Sequence, residues 1–320
     1  MTDEVDAIDQ IVVPPEPVRV DLATFPKEMR ELYLGVKAAL SALPIHFDFD
    51  NPMSGINATD LFNLSSLMGA AIEIQVVETL NALRGTWDPQ MRWSEYRFVR
   101  SAQAFPDVRL VKHADDGISV LLGIELKGWF LLSKEGEPSL RYKVSPEACN
   151  PWDMVCVVPW YLSSVVAGTP QVAAPWVDQA RFAAEWRDYW WEFLRGNPNK
   201  EPQKLRGVKP AASPVVYPSK ADLVSQTPIS DGAGNFGRLP RCKPLMDSFL
   251  ESALSMDLLG IEAASWQAFF KAHKEKPDPK DLAKLLASFD LRRKHGSEES
   301  AERLRELLRE LADDFDFGEN

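Results

Sequence analysis

Long apolar runs are missing from this chain. None of its 320 residues belongs to a stretch approaching the ~20 that a membrane helix needs. The opening MTDEVDAIDQ is acidic and has no apolar h-region, so no secretory signal is expected. Cysteine is scarce. Cys149, Cys156 and Cys242 are odd in number and show no C-x-x-C spacing. That argues against a disulfide framework and a structural zinc, and for a reducing cytoplasm. Histidine is scarce too: His46, His113, His273 and His295 have no spacing suited to a metal or base pair. Internal repeats are absent.

A net negative balance is present, but it is unevenly placed. The formal charge is −11. Residues 1–22 hold six acids against one Arg, and residues 297–320 hold nine against three. The two ends therefore carry the whole excess. Residues 181–243 hold eleven Lys/Arg against six Asp/Glu. An acidic protein can still present a basic face to a phosphate backbone, so charge neither requires nor excludes nucleic acid.

Pro14, Pro15 and Pro17 lie among acids, and residues 1–22 read as a disordered acidic arm. Residues 26–42 read as a helix with Pro26 at its start, and 44–56 as a loop. A strong helix spans FNLSSLMGAAIEIQVVETLNALRG, with Gly85 expected as its cap. The period then changes. Residues 93–101, 107–113 and 118–126 read as strands, the last two joined at Asp116-Gly117. A short strand is expected near 139–144 and a buried one at 153–159. Residues 176–195 read as a helix dense in aromatics, which at helical spacing are core. Residues 196–243 are a Pro/Gly-rich basic segment, and helices are expected near 244–257, 261–273, 279–293 and 298–313. The order helix, strands, helix, strand, helices predicts an α/β core (23–195) with a mostly helical C-terminal region (196–320).

Three charged residues stand out within apolar strands. Asp107 opens one strand, and Glu125 and Lys127 end the next, in GISVLLGIELKGWF. Strand alternation points Glu125 and Lys127 to one face, and the Asp116-Gly117 turn brings Asp107 near them. Charges in such a run are costly unless paired or metal-bound. Two carboxylates can hold Mg²⁺, and an ammonium beside them can orient water or stabilise charge on a phosphate.

Pro106-Asp107 followed by Glu125-Leu126-Lys127 resembles the PD-(D/E)XK nuclease motif. The resemblance covers roughly residues 60–195. It implies a restriction-endonuclease-like core of a helix, three meandering strands, a helix and a further strand, with a mixed central sheet flanked by helices. It also implies an acidic residue from the first helix. Glu73 is the best match and Glu78 the second, so Asp107, Glu125 and Glu73 would hold Mg²⁺, or Mn²⁺ in its place. The activity implied is DNA endonuclease, of a restriction or phage-defence type, and cutting both strands implies a homodimer. RNA, single strands or branched DNA are alternative substrates. The alternative from another class is a DNA-binding or assembly subunit with a vestigial site.

Gly232 to Gly237 spells G-x-G-x-x-G, yet it follows a Pro/Ser loop and opens no helix, so a tight turn is expected in place of a nucleotide fingerprint. Arg141, Lys143, Arg238 and Arg241 are the candidate phosphate contacts; Arg97 and Arg100 are ambiguous.

Overall fold

The computed structural model describes residues 14–54, 64–101, 105–115, 117–133, 138–197, 199, 207–208, 215–218, 228, 234–274, 302 and 306–307. It is a mixed α/β structure with a mixed sheet flanked by helices. Helices α1 (Lys27–Ser41), α2 (Leu43–His46), α3 (Ser65–Ala82) and α4 (Arg84–Trp87) come first. Strands β1 (Arg97–Arg100), β2 (Val108–Ala114) and β3 (Gly117–Phe130) follow as an antiparallel meander. Strand β4 (Met154–Leu162) returns parallel to β3. Its outer edge pairs with β5 (Pro170–Val172) and β6 (Trp176–Gln179), both antiparallel. These two form one broken strand, interrupted at Ala173–Pro175, whose register against β4 slips by one residue across the break.

The expected β2–β3 hairpin forms, with Ala114 opposite Gly117. It contains a bulge: Leu110 pairs with Leu122 and Val111 with Val120, so Leu121 has no counterpart. The Trp152 indole N–H donates to the Leu121 carbonyl at 2.6 Å. A group that the ladder would leave unpaired is thus satisfied from a neighbouring turn.

Sheet alternation separates two layers. Phe98, Leu110, Leu122, Ile124, Leu126 and Gly128 share one face, over which α3 packs. A Cβ on Gly128 would lie 3.3 Å from Ile72 Cδ1, and Phe98 meets Trp87 edge-on at 5.2 Å. The other face carries Gly123, Glu125, Lys127 and Trp129. It is covered by α5 (Ala180–Tyr189) and α6 (Asp247–Leu254), with Phe249 edge-on to Trp129 at 6.0 Å. The ribbon β7 (Asp257–Leu258)–β8 (Ile261–Glu262) and helix α7 (Ala263–Lys274) follow, anchored by the fully buried Trp266 and Phe269.

Several expectations are corrected. The long helix stops at Ala82, with Leu83 as its cap; Gly85 lies inside α4. There Arg84 donates to the carbonyls of Trp93 and Tyr96, which keeps the chain helical to Trp87. The first strand covers only 97–100, because 92–95 form turns. No strand forms at 139–144. Arg141 makes an isolated bridge to Arg238, with Tyr142 N–H donating to the Gly237 carbonyl (2.7 Å) and Leu239 N–H to that of Leu140 (3.1 Å). Gly237 sits at φ 84, and a Cβ there would lie 2.8 Å from the Tyr142 carbonyl oxygen, so the glycine turn is required. Among the described residues no α-helix separates β3 from β4, only a 3-10 turn at Pro146–Ala148. The chain reaches β4 before α5, which departs from the expected order.

Residues 176–179 are strand β6, and the helix begins at Ala180 and ends in a π turn, Trp190–Leu194. Its aromatics are core: Phe182, Trp186, Tyr189, Trp191 and Phe193 are buried. Residues 14–22 of the expected arm are docked. Arg19 forms an ion pair with Asp178 (2.7 Å), and Val20 exchanges hydrogen bonds with the Gln179 amide. Residues 1–13, the helix expected at 279–293, and most of 298–313 lie outside the described residues.

Candidate active site

Asp107 precedes β2, and one step beyond the Val108–Ile124 pair it stands opposite Glu125. The Leu126 N–H donates to Asp107 Oδ2 at 2.8 Å, fixing that carboxylate against β3. Glu125 is only 8% exposed. Lys127, two residues on and facing the same way, donates from Nζ to Glu125 Oε1 at 2.6 Å. The sequence-predicted Asp107, Glu125 and Lys127 are therefore brought together at one end of the sheet.

The electrostatics of the three are shared. Burial is the main cause that pushes the Asp107 carboxyl up to about 7; the Glu125 charge adds to it. Lys127 and the Leu126 N–H oppose this, and Glu73 adds a last increment. For Lys127, burial favours the neutral amine, but the carboxylates of Glu125, Asp107 and Glu73 outweigh it and raise the ammonium pKa. Lys127 thus favours its charged form and donates to Glu125.

Glu73 is near but differently held. It rises from α3, and its Oε2 accepts from Arg100 Nε (3.1 Å) and Nη2 (2.7 Å). Arg100 lies on the α3 face of the sheet, whereas Glu125 and Lys127 point to the other face. Glu73 therefore reaches the site through its field and not as an assembled ligand. Among the described residues, no three His, Cys, Asp or Glu side chains are gathered as a ready metal-ligand set. Glu78 accepts instead from Gln75.

The donor set of Asp107 and Glu125 fits a hard divalent cation. Both are oxygen ligands, and Mg²⁺ commonly takes one or two carboxylates with water and phosphate completing its shell. A cation bound there would offset the Glu125 charge that, after burial, raises the Asp107 pKa.

The four predicted phosphate contacts are also gathered. The bridge between Arg141 and Arg238 joins the segment carrying Lys143 to the turn carrying Arg241. Arg141 is exposed. Tyr142, between Arg141 and Lys143 on this basic arm, is buried and lies close enough to Glu125 to feel its charge. The wholly buried Arg187 anchors the arm: its Nη1 donates to the carbonyls of Tyr142 and Val144, each at 2.8 Å, and its Nε to Asp188 at 2.8 Å.

Sequence reasoning missed Asp153, whose fully buried carboxylate touches β3 two residues before Glu125. The available signal was an aspartate heading the apolar run DMVCVVP. The Glu73–Arg100 pair left no local signal. No helix among the described residues is long and apolar enough to cross a membrane.

Comparison with family models, with curated proteins and with solved structures found no match for this chain. Fold and site define a mixed α/β protein with a carboxylate–carboxylate–lysine cluster at one end of its sheet.

Proposed function

We propose that the protein is a Mg²⁺-dependent nuclease acting on DNA, in the manner of restriction-type enzymes. The observation that carries this reading is the convergence of Asp107, Glu125 and Lys127 at one sheet end. Asp107 and Glu125 would hold the metal. A bound Mg²⁺ supplies neutralisation of phosphate charge and a more acidic water. Lys127, charged and held by Glu125, donates toward a phosphate oxygen and stabilises charge developing there. The Leu126 N–H keeps Asp107 in place, and the basic arm of Arg141, Lys143, Arg238 and Arg241 bears on the backbone of the bound strand.

The test is incubation with unmodified plasmid and phage DNA plus Mg²⁺, with end sequencing of products. Asp107→Ala and Lys127→Ala should abolish cleavage while circular dichroism is unchanged. Cleavage by both variants at the native rate refutes the assignment. A second reading, a DNA-binding or assembly subunit with an inactive site, is favoured by one observation: Arg100 occupies Glu73. Absence of Mn²⁺ binding in the presence of DNA supports that reading.

A further inference from the structure

We propose that Asp153, clasped by Tyr217, is a positioning residue that fixes Asp107 against β3. This deepens the nuclease reading and rests on it for its catalytic consequence, but the geometry stands by itself.

The Asp153 carboxylate accepts three hydrogen bonds from three chain segments. Gly123 N–H donates to Oδ1 at 2.7 Å, Asn150 N–H to Oδ2 at 2.7 Å, and the Tyr217 hydroxyl to Oδ1 at 2.6 Å. Buried carboxylates are retained at a cost unless their lone pairs are satisfied in this way. Asp153 has no exposed surface and cannot touch a substrate. What it touches is the seat of the motif. Gly123 lies against Pro106 so closely that a Cβ would fall 2.3 Å from Pro106 Cγ and 3.1 Å from Asp153 Oδ1. Pro106 immediately precedes Asp107.

Tyr217 also contacts the seat. Its ring lies 6.5 Å from that of Phe105, and the Arg109 guanidinium sits 5.4 Å from the Tyr217 ring centroid while Arg109 Nη2 donates to the Phe105 carbonyl at 2.5 Å. The Tyr217 N–H donates to the Ala148 carbonyl at 3.1 Å. Its φ of 53 is a backbone conformation that bulky residues rarely adopt, and such conformations persist where surroundings over-determine them. Residues 105–107 therefore lie against both Gly123 and Tyr217, each hydrogen-bonded to the same Asp153 oxygen. The clasp also gives Tyr217, which lies in the Pro/Gly-rich stretch after 196, a task at the site.

The experiment compares the native protein with Tyr217→Phe and Asp153→Asn, with Gln179→Met as a control that loses buried hydrogen bonds at β6. The first readout is amide hydrogen exchange by NMR. The Leu126 N–H, bonded to Asp107, should exchange at least tenfold faster in both clasp variants, while the Leu131 N–H, bonded to Trp160, stays as in the native protein. The second is Mn²⁺ affinity by electron paramagnetic resonance, expected to weaken about tenfold, the scale of outer-shell effects on metal sites. The control should change neither. Native exchange at Leu126 in both clasp variants overturns the proposal. A native protein that neither binds Mn²⁺ nor cleaves DNA overturns the nuclease reading, and the exchange measurement still decides the clasp.

Discussion

Replacing Asp153 by Asn should flatten the dependence of stability on pH. Burial pushes the native carboxyl up to about 7, above its ordinary 3.8, although the Tyr217 hydroxyl, two backbone N–H groups and Arg109 pull the other way. The folded pKa exceeds the unfolded one. The associated stability is therefore complete below about pH 4 and is lost as pH rises through about 7. At about 1.4 kcal/mol per pH unit, the native protein should lose roughly 3 kcal/mol from this group between pH 5 and pH 8. The Asn side chain does not titrate, so its variant lacks that loss. It instead carries a pH-independent deficit of about 1–3 kcal/mol, because its amide NH₂ must face one of three donors. Urea unfolding at pH 5, 6, 7 and 8 measures both. With a slope of about 3 kcal/mol/M, the gap between the two midpoints should shift by close to 1 M over the range. The native disadvantage grows with pH, so the variant gains relative to it. Parallel midpoint curves would refute the assignment of a buried, late-ionising carboxylate at this position.

Three further outcomes follow from the same geometry. Mg²⁺ binds carboxylates and not carboxylic acids, so the metal concentration for half-maximal cleavage should fall as pH rises from 6 to 8 through the Asp107 transition near 7; a metal requirement independent of pH contradicts it. Glu73→Ala should lower the cleavage rate less than tenfold, against more than about 10³-fold for Asp107→Ala, since Arg100 already neutralises Glu73; equal losses would make Glu73 a ligand. Gly123→Ala must displace Pro106, and should destabilise by about 1–3 kcal/mol in thermal unfolding while lowering Mn²⁺ affinity; unchanged affinity would show that the seat does not govern Asp107.

Much of the site was legible because its residues are local. The hairpin turn, the alternation in GISVLLGIELKGWF and the placement of Glu125 and Lys127 follow from period two and one turn signal. The first helix was equally plain, running over Lys27–Ser41 against an expectation of 26–42. What local pattern misjudged was decided by distant partners. Gly85 looks like a cap until Arg84 finds the carbonyls of Trp93 and Tyr96. Residues 176–179 look helical, but β4 presents an open edge that pairs with them first. Tyr217 and Asp153 are 64 residues apart, and no spacing rule joins them. Glu73 fits the motif by position, and only the sheet's facing shows that Arg100 holds it.

The bulge at Leu121 makes the chemistry a matter of counting. Between the turn at Gly117 and the charged pair, β3 carries one residue more than β2. That extra residue is slack: the ladder on either side of it already agrees in facing. Deleting Leu121 gives an even ladder in which Leu122 still shares a face with Leu110, so Glu125 and Lys127 keep their facing. A residue added between Gly117 and Glu125 has no such slack: it needs a second bulge, or it turns the distal half over and sends Glu125 and Lys127 toward α3. Activity should therefore survive the loss of Leu121 better than the gain of one residue in this segment.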